Sequence, residues 1–439
     1  MDLLEGAVRA YAWGSRTDLA DLQGRTTPTE HPEAEIWYGA HPADPAMLVR
    51  PESGDPKERS LLAVIDSDPV GCLGASTAGT FHNRLPFLLK LLAAAEPLSL
   101  QAHPSALQAA QGFAADNSRG IPLDSPVRNY KDDSHKPELI VAIGEFHALA
   151  GFRDPARTLD FLSALAVDEM APYVDMLGRQ PDEHGLRMLF TSWITLPQAR
   201  LRELLPALLD GCERHVAAGA AVPFAREAAT IVELGAAYPG DQGVLAATLL
   251  NRVVLQPGEG MFLDAGNLHA YLSGVGVEIM ANSDNVLRGG LTPKHVDVPE
   301  LLRVLDFRPI DASALVPEGP APAWFDTPAS EFRLGAIVFD PAMTAEVGEV
   351  GKAGEVGEVG KVGGTGEAGG RVPVGADVAL PVGRPQIVLC TAGRGLLRSG
   401  DAELEVPRGG AAWLDAGDVV VASAAQTAEP TCLYVAAAG

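Results

Sequence analysis

Pro97-Leu98-Ser99-Leu100-Gln101-Ala102-His103-Pro104 carries the pattern that decides the architecture of this chain. Apolar and polar side chains alternate with a period of two. An extended backbone therefore turns Ser99, Gln101 and His103 to one face and Leu98, Leu100 and Ala102 to the other. The pattern returns in His135-Lys136-Pro137-Glu138-Leu139-Ile140-Val141, where Lys136 and Glu138 share a face. It returns again in Asn267-Leu268-His269-Ala270-Tyr271-Leu272, where His269 and Tyr271 do. Such segments predict a β core whose strands present polar groups along one wall.

Outward from these strands, the texture divides the chain. Residues 1–153 mix short apolar runs with turn signals at Pro32, Gly39, Pro42, Pro104 and Pro137, and read as the first part of the β core. One helix is expected there, Ser105–Ala115, opened by the Pro104-Ser105 step. From Asp154-Pro155 onward, Leu159, Phe161, Leu162 and Leu165, and later Leu201, Leu204, Leu205, Leu208 and Leu209, recur at helical spacing, which predicts a helical insertion over 154–250. Strand-like runs at Val253–Leu255, Met261–Leu263 and Val277–Met280 form a second part of the core, 251–320. The remainder, 321–439, ends in short β runs (Pro385–Cys390, Ala402–Val406, Ala411–Leu414, Asp418–Ala422, Cys432–Val435) separated by Gly turns, the pattern of a small jelly roll. Within it, residues 345–370 repeat Gly-Glu-Val, too rich in Gly to pack, and read as a flexible insertion without a catalytic role. No histidine follows His295, so this last unit is not expected to hold metal through imidazole.

Composition bounds the function. With 439 residues, 47% of them hydrophobic, the chain can bury large cores and divide into two or three domains. A net charge of -24 repels nucleic acid, and any anionic ligand needs a small, concentrated patch of Lys and Arg. The apolar stretches are interrupted by Lys90, Asp415 and Asp418 before reaching the length of a membrane span. The acidic start, Met1-Asp2-Leu3-Leu4-Glu5, does not resemble an export signal, and a cytoplasmic location is expected. Cys72, Cys212, Cys390 and Cys432 lie far apart and read as buried thiols rather than a zinc or redox pair. There is no P-loop, and nucleotide binding is not expected.

Two imidazoles, a carboxylate and an amide oxygen from Gln101, His103, Glu138 and His269 make an N/O set that suits Zn²⁺ and can leave a position open for substrate. From spacing alone, the same residues also read as an exposed strand face and a hydrogen-bonded core histidine. Longer motifs add a second argument. Tyr11-Ala12-Trp13-Gly14-Ser15, Glu35-Ile36-Trp37-Tyr38-Gly39-Ala40-His41-Pro42, Pro86-Phe87-Leu88-Leu89-Lys90, the Gln101-Ala102-His103 strand, Asn129-Tyr130-Lys131-Asp132 with His135-Lys136-Pro137-Glu138, His269-Ala270-Tyr271-Leu272, and Ala281-Asn282-Ser283-Asp284-Asn285-Val286-Leu287-Arg288-Gly289-Gly290-Leu291-Thr292-Pro293-Lys294 follow in that order. Together they resemble the signatures of class I, zinc-dependent mannose-6-phosphate isomerases over roughly residues 9–308.

The resemblance implies a mainly β protein: a cupin-like β-barrel or jelly-roll core, a helical insertion and a second, cupin-like C-terminal β domain. It implies one Zn²⁺ per subunit on Gln101, His103, Glu138 and His269, and a monomer serving mannose and GDP-mannose metabolism. It also places Arg288 near the reacting oxygens. Aldose–ketose interconversion moves a proton between C1 and C2 through a cis-enediol, so it needs a base at carbon and positive charge at the developing oxyanion. Glu278 is the first candidate base, or else an ion-pair partner of Arg288. Lys136 and His41 are candidate proton carriers, and Glu35 is a further carboxylate. Tyr271 lines the substrate or simply packs, and structural hydrogen bonding is an alternative for His41 and His135. Lys90, Ser99 and Lys294, with Arg288, are candidates for the substrate phosphate, Lys294 reading equally as a surface lysine. Two rival readings remain: a cupin-type metal oxygenase, which calls for a facial two-His, one-carboxylate set, and a non-catalytic sugar-binding cupin.

Overall fold

The computed structural model describes residues 1–49, 59–343, 369–425 and 428–439; residues 345–368 of the Gly-Glu-Val segment lie outside the described residues. The protein is mainly β with a block of helices, and its described strands form sheets of ten, eight and four strands.

The ten-stranded sheet is organised by one long strand, His269–Ala281. Two runs separate in the sequence, around His269 and around Val277, are one strand because Ser273–Gly276 continues the extended backbone between them. Its first half pairs with Leu100–Ala102 and Phe146–Phe152, its second half with Phe87–Ala94 and Glu138–Ala142. The register shifts between Tyr271 and Ser273, and Gly274 follows at φ 121°, where an added Cβ would stand 2.7 Å from the Glu145 carbonyl oxygen. Only glycine accepts that conformation and approach. The barrel expected for the core is accordingly not closed: among the described residues the strand order stays open, because the two halves of one strand join different neighbours.

Alternation then sorts side chains. Leu89, Leu91, Ala93, Leu139, Val141, Val277 and Ile279 pack outward against the eight-stranded sheet, on Phe332, Leu334, Leu389, Trp413 and Tyr434. Their neighbours Leu92, Ile140 and Ala142 turn inward to meet Phe146, Ala148, Val253 and Tyr271. Leu100, Ala102, Leu268 and Ala270 face a third way, into the helical core with Phe190, Trp193, Leu204 and Leu208. Each fully buried Leu or Phe contributes about 1.5–3 kcal/mol to this layering. Leu98 departs from the expected alternation. It packs with the inward cluster because regular pairing begins only at Leu100, and Ser99 is left half-buried before the strand.

The helices begin where expected. Asp154 caps Pro155–Ala164 by accepting the Ala156 and Arg157 N–H groups, and further helices run to Gly243–Ala247. Ser105 and Gln108 form a capping box on Ala106–Ser118. In the C-terminal part, the eight-stranded sheet packs Ile337, Phe339, Val388 and Val435 against Leu397, Val406 and Ala422 of the four-stranded sheet. The N-terminal strand Asp2–Glu5 and Met47–Leu48 are built into that eight-stranded sheet through Ala411–Leu414. No helix among the described residues is long and apolar enough to cross a membrane.

Candidate metal centre and active site

The wall of the inner face is polar where sequence alternation places it. His103, Glu138 and His269 are each at most 2% exposed, and their ligand atoms lie within 4.8 Å of one another. His103 Nε2 stands 3.3 Å from Glu138 Oε1, and His269 Nε2 3.5 Å from Glu138 Oε2. Each imidazole turns its other nitrogen to a carbonyl, His103 Nδ1 to Asn285 O at 2.7 Å and His269 Nδ1 to Asn267 O at 2.9 Å. A carbonyl only accepts, so both Nδ1 atoms carry the proton and both Nε2 atoms offer lone pairs.

Burial, outweighing the pull of Glu138, lowers His103 to about 4, which keeps its ring neutral at pH 7. Burial opposes a charge on Glu138 as well, yet Lys136 and His103 outweigh it and hold the carboxyl well below its ordinary range. Two lone pairs thus point at an anionic carboxylate, and His103 Nε2, His269 Nε2 and Glu138 Oε2 are buried with no hydrogen-bond partner. Orphaned groups of this kind cost about 1–3 kcal/mol each unless something fills them. A cation held there would satisfy them, and the N/O donor set fits zinc. Gln101 lies opposite both His269 and Arg288 in the strand register and is half-buried, on the rim of this cluster.

The comparisons agree with the geometry. Residues 1–155 match the family described as phosphomannose isomerase type I, catalytic domain. Over 319 residues the chain is 41% identical to mannose-6-phosphate isomerase of Escherichia coli, covering 72% of this chain and 77% of that one. The chain belongs to the mannose-6-phosphate isomerase family. A crystal structure of a mutant phosphomannose isomerase from Salmonella typhimurium superposes with a TM-score of 0.82 at 30% identity, covering 100% of this chain and 99% of that one. A zinc-bound mannose 6-phosphate isomerase superposes at 0.81 and 31% identity, covering 99% and 98%.

Mannose-6-phosphate isomerases are enzymes of the isomerase class, and the polar groups around the cluster in this member fall into pairs. Lys136 Nζ is 3.1 Å from Glu138 Oε1, beside the candidate ligands. Lys90 is 5% exposed and sits 2.9 Å from Glu278 Oε2 and 3.4 Å from Glu35 Oε1. Burial alone would lower its pKa, but Glu278 and Glu35 raise it instead, so Lys90 stays charged and spent. The cation facing Glu278 is therefore Lys90, not Arg288. Tyr271 donates to the other oxygen, Glu278 Oε1, at 2.8 Å, which leaves Glu278 occupied on both sides. Burial pushes the Glu278 carboxyl up, with Lys90 opposing. Trp37 Nε1 similarly donates to Glu35 Oε2 at 2.7 Å.

The Arg288 guanidinium, by contrast, makes no hydrogen bond or ion pair with a described residue, and burial alone lowers its pKa. It lines a cleft of roughly 270 Å³, part of it open to solvent, together with Arg128, Asn129 and His295. Lys294 is exposed nearby in sequence, and only its backbone N–H is engaged, by Thr292 Oγ1 at 3.2 Å. His41 Nε2 lies 3.4 Å from Asp284 Oδ1, its ring edge-on to Trp37, and that hydrogen bond lowers the Asp284 pKa. His135 instead joins Glu331, at the start of the C-terminal part, at 2.6 Å.

Sequence reasoning missed the clamp behind the cluster. Asn285 is fully buried; its Oδ1 accepts the Lys131 and Asp132 N–H groups at 2.7 and 3.3 Å, and its Nδ2 donates to Asp132 O and Ser134 O at 2.9 Å. The two motifs carrying these residues were both visible, but nothing local says that segments about 150 residues apart interlock through Asn285, with Ser283 and Asp284 adding bonds to Asp132.

Proposed function

We propose that this chain interconverts mannose 6-phosphate and fructose 6-phosphate with one zinc held by His103, Glu138, His269 and Gln101. The observation that carries the reading is the trio of buried, partnerless ligand atoms on His103, His269 and Glu138, in a chain of this family. When bound, zinc supplies Lewis-acid polarisation where the sugar carbonyl approaches.

The chain's own residues divide the remaining work. Arg288, unpaired and half-buried, offers its planar fork of donors to the oxyanion that develops on O1 or O2. Lys136, whose one partner among the described residues is Glu138, is assigned the proton transfer between C1 and C2: its neutral amine takes the C2 proton and the resulting ammonium returns a proton to C1. Glu278, with both oxygens engaged, fixes Lys90 and Tyr271 rather than attacking carbon. His41, coupled to Asp284, carries protons between the sugar oxygens. Ser99, Lys294 and Arg288 receive the phosphate; Lys90 is already neutralised by Glu278 and Glu35 and is left out. The same reading carries with it a cupin-like core over residues 1–153 and 251–320, a cytoplasmic monomer and a product that feeds mannose and GDP-mannose metabolism.

Two histidines and one carboxylate also match the set expected of a non-haem iron oxygenase. Incubating the purified protein with mannose 6-phosphate in anaerobic D₂O, followed by NMR, separates the two. Fructose 6-phosphate carrying solvent deuterium at C1 is expected. No conversion without oxygen overturns the isomerase, and conversion that never admits solvent label overturns the proton-transfer route.

A further inference from the structure

The helical insertion reaches the active site through one tight turn. Tyr238-Pro239-Gly240-Asp241 joins the helix Ala225–Ala237 to the helix Gly243–Ala247, and the Asp241 N–H donates back to Tyr238 O at 3.1 Å. Pro239 at the second position and Gly240, φ 77°, at the third suit a type II turn, which holds its two ends in fixed relation. From one end the Tyr238 hydroxyl donates to Pro97 O, 141 residues away and just before Ser99. From the other the Asp241 carboxylate takes three backbone N–H groups: Oδ1 accepts from Gly243 at 2.7 Å and Leu291 at 3.0 Å, and Oδ2 accepts from Thr292 at 3.0 Å. Asp241 is half-buried and forms no ion pair with a described residue, so the backbone is its whole task.

The backbone held there is not one that the chain adopts unaided. Leu291 lies at φ 54°, in the left-handed region, with its side chain buried in the helical core. A Cβ on Gly290, φ 120°, would stand 2.6 Å from Gly243 Cα, and a Cβ on Gly243 would stand 2.5 Å from Leu291 N. Only glycine at both positions lets the two segments approach so closely. Immediately before this point, the register between Leu287–Gly290 and Leu100–Ala102 shifts between Arg288 and Gly290, an irregularity that re-aims a strand side chain. Immediately after it, Thr292 Oγ1 accepts the Lys294 N–H at 3.2 Å. Arg288 and Lys294 thus stand on either side of the segment that Asp241 fixes. We propose that Asp241 is a positioning residue of the isomerase: its carboxylate, delivered from the helical insertion, sets the turn 290–292 and with it the placement of Arg288 and Lys294 around the sugar phosphate. The inference rests on the roles given to those two cations above.

The test uses the full zinc-loaded chain as wild type, Asp241→Asn and Asp241→Ala, each also combined with Arg288→Ala. Turnover of mannose 6-phosphate reads the placement, and amide hydrogen exchange in the peptide containing Leu291 and Thr292 reads the turn itself. Asp241→Ala should speed that exchange, retain zinc and lower kcat about 10–100-fold, the scale of a lost alignment. Asp241→Asn keeps an acceptor for Gly243 and Leu291 but faces the Thr292 N–H with a second donor. It should raise KM about 3–10-fold at a near-wild-type kcat. In the Arg288→Ala protein, Asp241→Ala should cost less than about threefold further in kcat, because both changes act through one group. A full further loss there marks a general structural defect and overturns the proposal. So do unchanged kcat and KM in Asp241→Asn, even if Asp241→Ala does not fold. A wild type that never turns over mannose 6-phosphate overturns instead the function proposed above, and the exchange rates then decide separately: faster exchange in Asp241→Asn upholds the hold of Asp241 on the turn, and unchanged exchange overturns it.

Discussion

Replacing Lys90 by Met separates a buried structural cation from a phosphate ligand. The ammonium lies 2.9 Å from Glu278 and 3.4 Å from Glu35, whose side chains are 3% and 10% exposed. At an effective dielectric of about 20, each contact is worth roughly 5 kcal/mol of gross attraction, most of it offset by the desolvation of both partners. Methionine fills the same channel but strands two buried carboxylates, and such an uncompensated pair costs about 3–5 kcal/mol. Urea unfolding at pH 7.5 should show that loss with an unchanged m-value. Glu278 is already pushed up by burial, and without Lys90 it rises further. The folded variant then binds a proton that its unfolded chain does not, so the deficit relative to wild type should shrink as pH falls toward 5.5. Adding Glu278→Gln should recover at least about half of it. A loss below about 1 kcal/mol at pH 7.5, with a raised KM for the sugar phosphate and no rescue by Glu278→Gln, would show that Lys90 is a phosphate ligand after all.

Asn285→Ala removes the amide that ties the 129–134 loop to the loop segment 282–286, whose residue 285 carbonyl holds His103. Zinc affinity, measured by competition with a chromophoric chelator, should fall about 10–100-fold; unchanged affinity would show that the carbonyl of residue 285 holds His103 without the clamp. Arg288→Ala should bind zinc as wild type does and lose roughly 10²–10³ in kcat, as expected when an oxyanion donor is removed, whereas a defect confined to KM would reassign Arg288 to phosphate alone. The His135–Glu331 pair raises the histidine pKa, chiefly through the hydrogen bond, and lowers that of Glu331 against the opposing effect of burial. Its stabilisation is fullest between the ordinary pKa values of the two groups, is lost as pH rises through the folded histidine pKa, and is lost again as pH falls through the folded glutamate pKa. For a partly exposed pair it amounts to about 0.5–1 kcal/mol. Denaturation midpoints of wild type and His135→Gln should therefore differ at pH 6 and converge at pH 9; a constant gap across that range would remove the titration from the account.

The strands that carry chemistry were legible because alternation is a local property. Leu100 and Ala102 on one side and His103 on the other, or Leu139 and Val141 against Glu138, sort to opposite faces whatever lies beyond them. The helical block was legible for the same reason, through Asp154-Pro155 and the Leu201–Leu208 stripe. Partnership was not. Lys90 and Glu278 lie 188 residues apart and meet only because the strands Phe87–Ala94 and His269–Ala281 pair in one register. A cation read as a phosphate candidate from its sequence neighbours thus lies in contact with carboxylates far away in the chain. The open sheet also depends on tertiary geometry: the bend at Gly274 sends one strand into two sets of neighbours, and a run of Ser, Gly and Val does not declare that. Nor does composition reveal that Asp2–Glu5 and Met47–Leu48 join a sheet whose other strands lie more than 270 residues further along the chain.

The central claim is that catalysis depends on a zinc held by the His103, Glu138 and His269 cluster. It is tested most directly by measuring zinc content and mannose 6-phosphate turnover together, in wild type and in His103→Ala, after chelation and after zinc is restored. Wild type is expected to lose both with chelator and regain both with about one zinc per chain, and His103→Ala to regain neither. Turnover that survives in metal-free protein, or in a His103→Ala variant without zinc, would contradict it.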